Sequence, residues 1–271
     1  MTEVQTTEQT TEAPAAPKTL GLEVRTHKPP RIVIYGPQGL GKSTFGAMMK
    51  KPVFIQTEDG LDNIDAPAFP LAKNFDTVMS QLRELATIDH DYKTVVIDSL
   101  DWLEPMIWRK VAQENHVENL EQIGYGKGYV MALDIWREYI KAVNYLRDKK
   151  GMMIVQTAHT EIKRFEDPLN ESYDRYQIKL HRLAAGLILE HSDIVLFTNY
   201  YVGTTKKKEG FGDRTMAIGS GERVLYTEER PSFIAKNRYG LPAEIPFDQE
   251  GKYRKVIADH VPFFNKQKKD V

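Results

Sequence analysis

The sequence predicts an α/β protein in which a mostly parallel, twisted sheet carries helices on both faces and β-hairpins follow near the C-terminus. Short apolar, β-branched segments alternate with amphipathic segments of helical period between residues 31 and 199. A glycine-rich loop joins the first of these strands to the first helix. After residue 200, short β-type runs alternate with turns rich in Gly and Lys, which is the pattern of hairpins.

Composition limits the classes of protein to consider. The 271 residues are 41% hydrophobic and 10% aromatic, which is enough for a substantial core. A net charge of -1 gives no overall attraction to nucleic acid, so that role would need local basic patches. Cysteine is absent, which excludes disulfides and thiolate chemistry and is compatible with a reducing cytoplasm. With neither a signal pattern nor an apolar run of ~18 residues, we predict a cytoplasmic protein without a membrane partner.

The chain divides into three parts by composition. Residues 1–24 are mostly Thr, Glu, Gln, Ala and Pro, which cannot bury enough apolar surface to fold, so they are predicted to be a disordered tail. Residues 25–248 carry all the periodic segments and form the predicted core domain. Residues 249–271 are polar and basic and are predicted to be a C-terminal tail.

The elements of the core follow from hydrophobic period and from Gly and Pro positions. Buried strands are predicted where the apolar runs are continuous, at residues 31–35, 53–57, 94–98, 152–157 and 193–199. Helices are predicted where apolar residues recur every three or four positions, at residues 43–50, 75–88, 99–112, 130–147 and 180–190. Two polar, charged stretches, 113–129 and 159–179, are predicted to be long loops.

The loop after the first strand carries the most specific motif. Residues 36–43, GPQGLGKS, fit G-x-x-x-x-G-K-[ST] at every fixed position, between a strand and a helix. Glycines let backbone N–H groups wrap around phosphate oxygens, and the helix adds its positive N-terminal end. ATP is therefore the predicted ligand, and its binding residues are Gly36, Pro37, Gln38, Gly39, Leu40, Gly41, Lys42, Ser43 and Thr44. Lys42 is expected to reach the β- and γ-phosphates.

Two carboxylates at strand ends are candidates for the chemistry of hydrolysis. Asp98 ends an apolar strand and is predicted to hold Mg²⁺ opposite the Ser43 hydroxyl. Ser99 occupies the next position, where many P-loop ATPases carry the glutamate that activates water. Glu58, at the end of the strand after the P-loop helix, is the better candidate for that task, with Asp101 as a weaker one.

These segments resemble those of RecA-type recombinases. Residues 57–62, TEDGLD, are similar to the segment that carries the catalytic glutamate in that family, and residues 95–100, VVIDSL, to its Walker B segment. The resemblance implies a RecA-like P-loop NTPase fold from residue 31 to about 247. The chain is most similar to the small phage-encoded RecA-like ATPases linked to single-strand annealing and recombination.

A pair of cations extends the resemblance. Residues 234–240, IAKNRYG, look like the element with which RecA-, RadA- and DnaB-type proteins reach into a neighbouring subunit's ATP site. Side chains two residues apart on a strand point the same way, so Lys236 and Arg238 could stabilise γ-phosphate charge in trans. The resemblance thus implies a homo-oligomer, either a ring or a filament. The alternative is a basic strand edge that discourages aggregation.

The family also commonly carries a polar γ-phosphate sensor after its fourth strand. The corresponding segment here is VQTAH, residues 155–159, and its register is open. Gln156 and His159 are therefore both candidates for the sensor.

In the family, the two loops after the third and fourth strands line single-stranded DNA. Residues of types that stack on bases or meet phosphates lie in the corresponding stretches, namely Tyr125, Lys127, Tyr129, Lys163, Arg164, Arg175 and Lys179. Acidic residues balance the basic ones in the second loop, so composition alone favours solvated loops.

The sequence as a whole predicts a Mg²⁺-dependent ATPase that acts on single-stranded DNA, with DNA stimulating hydrolysis and ATP held between subunits. A single-strand-binding protein is a further expected partner, and the host cytoplasm is the expected location if a phage encodes the chain. The alternatives are a hexameric helicase and a regulatory RecA-like ATPase without DNA contact.

Overall fold

The computed structural model of the protein describes residues 26–209, 212–248 and 250–266, and for residues 202–220 it describes the backbone alone. The predicted tail at 1–24 lies outside the described residues. The described core is an α/β fold with a mostly parallel central sheet, which confirms the predicted fold class.

The sheet is built around a parallel block to which antiparallel strands are added. In chain order the described strands are β1 Arg31–Gly36, β2 Pro52–Gln56, β3 Thr94–Asp98, β4 Met153–Phe165, β5 Tyr173–Ile178, β6 Ile194–Glu209, β7 Gly212–Tyr226, β8 Lys236–Asn237 and β9 Glu244–Pro246. Their spatial order is β2-β3-β4-β1-β6-β7-β9, in which the first five strands are parallel. β5 pairs with β4, and β7 and β8 pair with β6, all antiparallel.

Helices cover both faces of the parallel block. The described α-helices are α1 Lys42–Ala47, α2 Phe75–Thr87, α3 Leu100–Glu114, α4 Lys127–Lys149, α5 Arg182–His191, α6 Tyr253–His260 and α7 Pro262–Lys266. Alternate strand residues point to opposite faces, so Val33 packs with α2 to α5 while Ile32 packs with α1 and α6. Both clusters are fully apolar, which explains the continuous apolar runs of the central strands.

The two predicted loops contain more regular structure than expected. Residues 113–129 include the end of α3, a 3₁₀ helix at Leu120–Ile123 and the start of α4. Residues 159–179 mostly form a hairpin, because β4 continues to Phe165 and pairs with β5. Cross-strand pairs such as Phe165 with Tyr173, whose ring centroids are 5.5 Å apart, stabilise the hairpin although most of its other positions are polar.

The prediction of a polar C-terminal tail from residue 249 is wrong for residues 253–266, which form α6 and α7. Tyr253, Ile257 and Val261 are buried at a spacing of four residues, the period of one helical face. The ring of Tyr253 stacks on Phe45 of α1 with centroids 5.2 Å apart. This segment therefore covers the helix that follows the P-loop. None of the described helices is both long and apolar enough to cross a membrane.

Glu104 connects α3 to the start of α5, on the sheet face that α2 to α5 cover. It lies on α3, is 5% exposed, and its Oε1 and Oε2 accept the His181 backbone N–H at 3.1 and 2.9 Å, just before α5. Burial raises the pKa of Glu104 from 4.5 to about 7, although the His181 N–H favours the ionised form. The folded state thus binds this proton more tightly than the unfolded chain does.

We expect Glu104→Gln to stabilise the protein at high pH only. Because the folded pKa is above the unfolded one, the wild type should lose stability as pH rises from about 4.5 through about 7. Denaturant unfolding should show a gain of up to about 3 kcal/mol for the variant at about pH 8.5, and little gain at about pH 5. Glu138→Gln, on an exposed part of α4, is the control. An equal effect of Glu104→Gln at both pH values would contradict this account.

Candidate functional site

The register of the parallel strands brings the predicted functional residues to one edge of the sheet. Gly36, at the end of β1, pairs with His159 of β4, and Ile97 of β3 pairs with Gln156. Asp98 therefore lies one residue beyond that pair. Gln56, which ends β2, is opposite Asp98, so Glu58 follows two residues later. The carboxyl ends of β1, β2 and β3 and the middle of β4 thus lie at the P-loop.

The P-loop has the backbone conformation that its glycines predict. Gly39 and Gly41 have φ values of +74° and +88°, a region that other residues rarely adopt. Nζ of Lys42 donates to the carbonyls of Gly36 and Pro37, at 3.1 and 2.8 Å. Burial lowers the pKa of Lys42, while the nearby Asp101, Asp98 and Glu58 oppose this shift. The lysine is thus held inside its own loop, close to three carboxylates.

A cavity of about 280 Å³ opens above this loop. Its lining residues are Gly39, Gly41, Lys42, Ser43, Thr44, Glu58, Gly60, Asn63, Ile64, Asp98 and His159. The cavity thus brings together the predicted lysine, the predicted metal residues, the predicted catalytic glutamate and one sensor candidate. Leu40 is instead fully buried, and its carbonyl accepts a hydrogen bond from Arg223.

Hydrogen bonds fix the two carboxylates that were predicted to serve metal binding and hydrolysis. Oδ1 of Asp98, which is 8% exposed, accepts the hydroxyl of Thr157 on the neighbouring strand. Oε2 of Glu58 accepts the Ser99 hydroxyl at 3.2 Å. The backbone N–H groups of Thr57 and Glu58 donate to the carbonyl of Asp98, at 2.8 and 3.3 Å. The end of β2 is therefore fastened to the end of β3.

His159 is held by Asp101, from the first turn of α3. The two Asp101 oxygens contact the His159 backbone N–H at 3.0 Å and Nδ1 at 2.9 Å. Burial would raise the pKa of Asp101, but the bonds from His159 outweigh it and hold the pKa below its usual value. Nδ1 of His159 is also 3.9 Å from Oε2 of Glu58. The imidazole therefore lies in the cavity with a fixed orientation.

The structure separates the two sensor candidates. Gln156 is fully buried on the opposite face of β4, and its Oε1 accepts the hydroxyl of Tyr139 at 2.7 Å. Strand alternation explains this, because His159 and Thr157 share one face of β4 and Gln156 belongs to the other. The prediction of Gln156 as a γ-phosphate sensor is therefore wrong, and His159 is the candidate that reaches the cavity.

Lys236 and Arg238 lie far from this cavity. β8 pairs with residues 194 and 195 at the start of β6, which is the opposite edge of the parallel block. Nζ of Lys236 donates to the carbonyls of Leu189 and Glu190 at the end of α5, at 2.8 and 3.0 Å. Arg238, whose side chain is 51% exposed, contacts Asp193 at 3.2 Å. Neither cation lines the P-loop cavity of its own chain.

Residues predicted to contact DNA from the first loop differ in accessibility. Tyr125 is fully exposed, and Lys127 is exposed at the first position of α4. Tyr129 is partly buried: its ring stacks on His181 with centroids 4.3 Å apart and meets Trp108 edge-on at 5.5 Å.

The DNA-contact candidates from the second loop also differ in accessibility. Lys163, Arg164 and Lys179 are exposed on or beside the hairpin. Arg175 is 7% exposed and ion-paired with Glu229, so its predicted role on DNA is corrected to a structural one.

Several site residues escaped the sequence analysis. Thr157 donates to Asp98. Ser99, which the sequence analysis considered only because it replaces a glutamate, donates to Glu58. Asp101 was considered for hydrolysis, and here it positions His159. The available signal was its position in the sequence, because Asp101 follows Asp98 by three residues and lies in the first turn of α3. Asn63 comes from an irregular segment whose path no local pattern indicated.

A second cavity, of about 600 Å³, is lined in part by Arg223 and Phe247, which both approach Gly41 of the P-loop. Arg223 connects this cavity to the P-loop, because its Nη1 donates to the Leu40 carbonyl at 3.1 Å and its guanidinium lies 5.3 Å from the centroid of the Phe247 ring. The remaining lining residues come from the ends of β7 and β9 and from Tyr201.

The donor set suits Mg²⁺ bound together with a nucleotide. Among the described residues, no group of three or more His, Asp or Glu side chains forms a metal site of its own. One carboxylate, Asp98, and one hydroxyl, Ser43, do line the cavity beside the P-loop. Mg²⁺ is commonly held by one or two such groups with water and substrate phosphates.

Comparison with known proteins agrees with this geometry. Residues 28–239 match the AAA domain family, so the chain belongs to that family and is a P-loop ATPase by fold. It is also 27% identical, over 214 residues, to the SPbeta prophage-derived uncharacterized protein YorG of Bacillus subtilis strain 168. That match covers 77% of this chain and 59% of the relative, so the chain spans about three fifths of the relative's length.

Substitution at the two sensor candidates should separate their roles. We expect His159→Ala to lower kcat for ATP by at least about tenfold, because a polar group beside the phosphates is lost. Gln156→Met should leave kcat within about twofold but destabilise the fold by about 1 to 2 kcal/mol, since the buried Tyr139 hydroxyl loses its acceptor. Steady-state kinetics and denaturant unfolding measure both. Normal kcat in His159→Ala would contradict the assignment.

Proposed function

We propose that the protein is a Mg²⁺-dependent ATPase that acts on single-stranded DNA and whose ATP site is completed by a neighbouring subunit. The observation that carries the ATPase proposal is the convergence of Lys42, Ser43, Asp98, Glu58 and His159 on one cavity. These are a phosphate-binding cation, two metal-binding oxygens, a carboxylate and an imidazole. Hydrogen bonds within the fold already position Lys42, Asp98, Glu58 and His159.

The phosphate end of ATP belongs in the smaller cavity. On binding, Nζ of Lys42 exchanges the carbonyls of Gly36 and Pro37 for phosphate oxygens, while backbone N–H groups of the loop surround the phosphates. Ser43 and Asp98 would hold Mg²⁺, which neutralises part of the phosphate charge.

The nucleoside end of ATP fits the larger cavity across the P-loop. Arg223, held by the Leu40 carbonyl and the Phe247 ring, presents a planar cation there. Tyr201 and Pro246 supply apolar surface around it.

Glu58 is the proposed group that orients and deprotonates the attacking water. The Ser99 hydroxyl donates to one carboxylate oxygen of Glu58. The backbone N–H groups of residues 57 and 58 donate to the Asp98 carbonyl, and these bonds fix the position of Glu58 relative to the sheet. His159, oriented by Asp101, is placed to bond the phosphate that is released. Positioning of this kind is the main contribution of the protein to phosphoryl transfer.

The proposal of a shared site accounts for the position of Lys236 and Arg238. At the opposite edge of the sheet they cannot serve their own P-loop, whereas an edge-to-edge neighbour could receive them. Asp193 contacts Arg31, Arg147 and Arg238, so this edge carries more positive than negative charge. An ATP γ-phosphate of the next subunit would compensate that excess. Whether a ring or a filament forms depends on the angle between subunits.

Single-stranded DNA is the proposed substrate because of the resemblance to phage RecA-like ATPases. Tyr125 and Lys127 are exposed between α3 and the first turn of α4, and Arg164 and Lys179 are exposed on or beside the β4–β5 hairpin. The relative is prophage-derived, which supports the proposal of a phage protein that works in the host cytoplasm. A single-strand-binding protein, which shares the substrate, is the proposed partner.

ATP turnover with and without single-stranded DNA tests the proposal. We expect DNA to stimulate hydrolysis, and Glu58→Gln to lower kcat by about 100-fold while ATP still binds, because general-base assistance is lost. Asp59→Asn is the matched control, since that neighbouring carboxylate is exposed and does not line the cavity.

Turnover that DNA does not change, together with no DNA binding in low salt, would contradict the DNA part of the proposal. Full activity of Glu58→Gln would contradict the assigned chemistry.

Mixing two inactive variants tests the shared site. Arg238→Ala removes the exposed cation and keeps the P-loop, while Lys42→Ala removes the phosphate lysine and keeps Arg238. We expect each alone to hydrolyse ATP at least about tenfold more slowly than the wild type, and an equal mixture to recover part of the activity. Assays across mixing ratios measure this recovery, and its absence would argue against action in trans.

A further inference from the structure

A third cavity, of about 500 Å³, lies between the start of α3, the start of α4 and the β4–β5 hairpin. Its lining residues are Asp101, Trp102, Glu104, Pro105, Trp108, Tyr129, Glu161, Lys163, Lys179, Leu180 and His181. The cavity borders the ATP site, because Asp101 lines it and also holds His159. The proposed ATPase chemistry uses none of its aromatic residues.

Flat aromatic surfaces form much of this cavity. Tyr129 and His181 stack with their ring planes 9° apart, and Trp108 meets Tyr129 at 82°. Burial, together with the nearby Arg182 and Lys163, lowers the pKa of His181 and so favours the uncharged imidazole in this stack. Trp102 lines the same cavity and is 50% exposed. A half-exposed indole beside an already stacked pair gives a ligand ring a surface on which to stack.

The acidic residues of this cavity are already engaged. Asp101 binds His159, Glu104 binds the backbone N–H of His181, and Glu161 pairs with Lys163 at 2.7 Å. Lys179 is exposed and has no ion pair among the described residues. The cavity therefore offers apolar rings inside and an unpaired cation at its rim.

We propose that this cavity binds a base of single-stranded DNA, which stacks on Trp102 while Lys179 contacts a neighbouring phosphate. The inference rests on the proposed DNA function and extends it, because it assigns one base-binding site and the residues that form it. Aromatic stacking with a nearby cation is how proteins hold single strands without reading a particular sequence. A site beside α3 also brings the DNA next to Asp101, which positions His159 in the ATP site.

Two oligonucleotides of equal length and charge test this inference, one with bases and one with abasic residues throughout. Anisotropy of the labelled strands, with a non-hydrolysable ATP analogue present, gives both affinities. We expect the wild type to bind the base-containing strand at least about tenfold more tightly. Trp102→Ala should lose most of this preference and leave the abasic affinity unchanged, whereas Trp102→Phe should retain it.

Two further variants locate the site. Tyr145→Ala is the matched control, because Tyr145 is also 50% exposed but lies near the far end of α4. It should keep the preference of the wild type. Lys179→Ala should weaken the binding of both strands equally, and it should reduce the slope of log affinity against log salt concentration by about one.

Equal affinity of the wild type for the two strands, or an undiminished preference in Trp102→Ala, would overturn the base-binding site while leaving the DNA function in place. Loss of the preference in Tyr145→Ala would also overturn it, since stacking at Trp102 would then not explain the effect. Absence of binding to either strand would contradict the proposed DNA function itself, and the site with it.

Discussion

The parallel alignment of β1, β3 and β4 is the constraint on which the rest of the site depends. Pairing of Gly36 with His159, and of Ile97 with Gln156, fixes the positions of the three strands along one another. The P-loop, Asp98 and His159 therefore line the same cavity, because the backbone already places them close together. Apolar clusters on both faces hold this register, because a shift of one residue would turn every buried side chain of a strand to the wrong face.

Charge is arranged differently at the two edges of the sheet. At the carboxyl edge, burial lowers the pKa of Lys42, and the nearby Asp98, Asp101 and Glu58 offset part of this lowering. At the opposite edge, Asp193 contacts Arg31, Arg147 and Arg238, and Asp148 also pairs with Arg147. An acidic cavity and a basic edge on one molecule are complementary surfaces, which is the arrangement that the proposed head-to-tail assembly requires.

Local patterns in the sequence were sufficient for the central strands, the P-loop and its Ser43 and Asp98 partners. Continuous apolar runs and a glycine motif depend only on neighbouring residues, so they could be recognised without the fold. The choice between Gln156 and His159 needed the face of β4 on which each lies. Arg175 looked like a loop cation, but a partner 54 residues away, Glu229, gives it a structural role. The cavity around Trp102 and His181 likewise depends on contacts between distant segments.

The central claim is that one cavity at the carboxyl edge binds Mg²⁺ and ATP, and calorimetric titration tests it most directly. A non-hydrolysable ATP analogue titrated into the wild-type protein with Mg²⁺ should bind saturably, with one molecule per chain. Removal of Mg²⁺ by a chelator should weaken that binding, because Ser43 and Asp98 then lose the ion they share with the phosphates. No binding with or without Mg²⁺, at concentrations up to about 1 mM, would contradict the account.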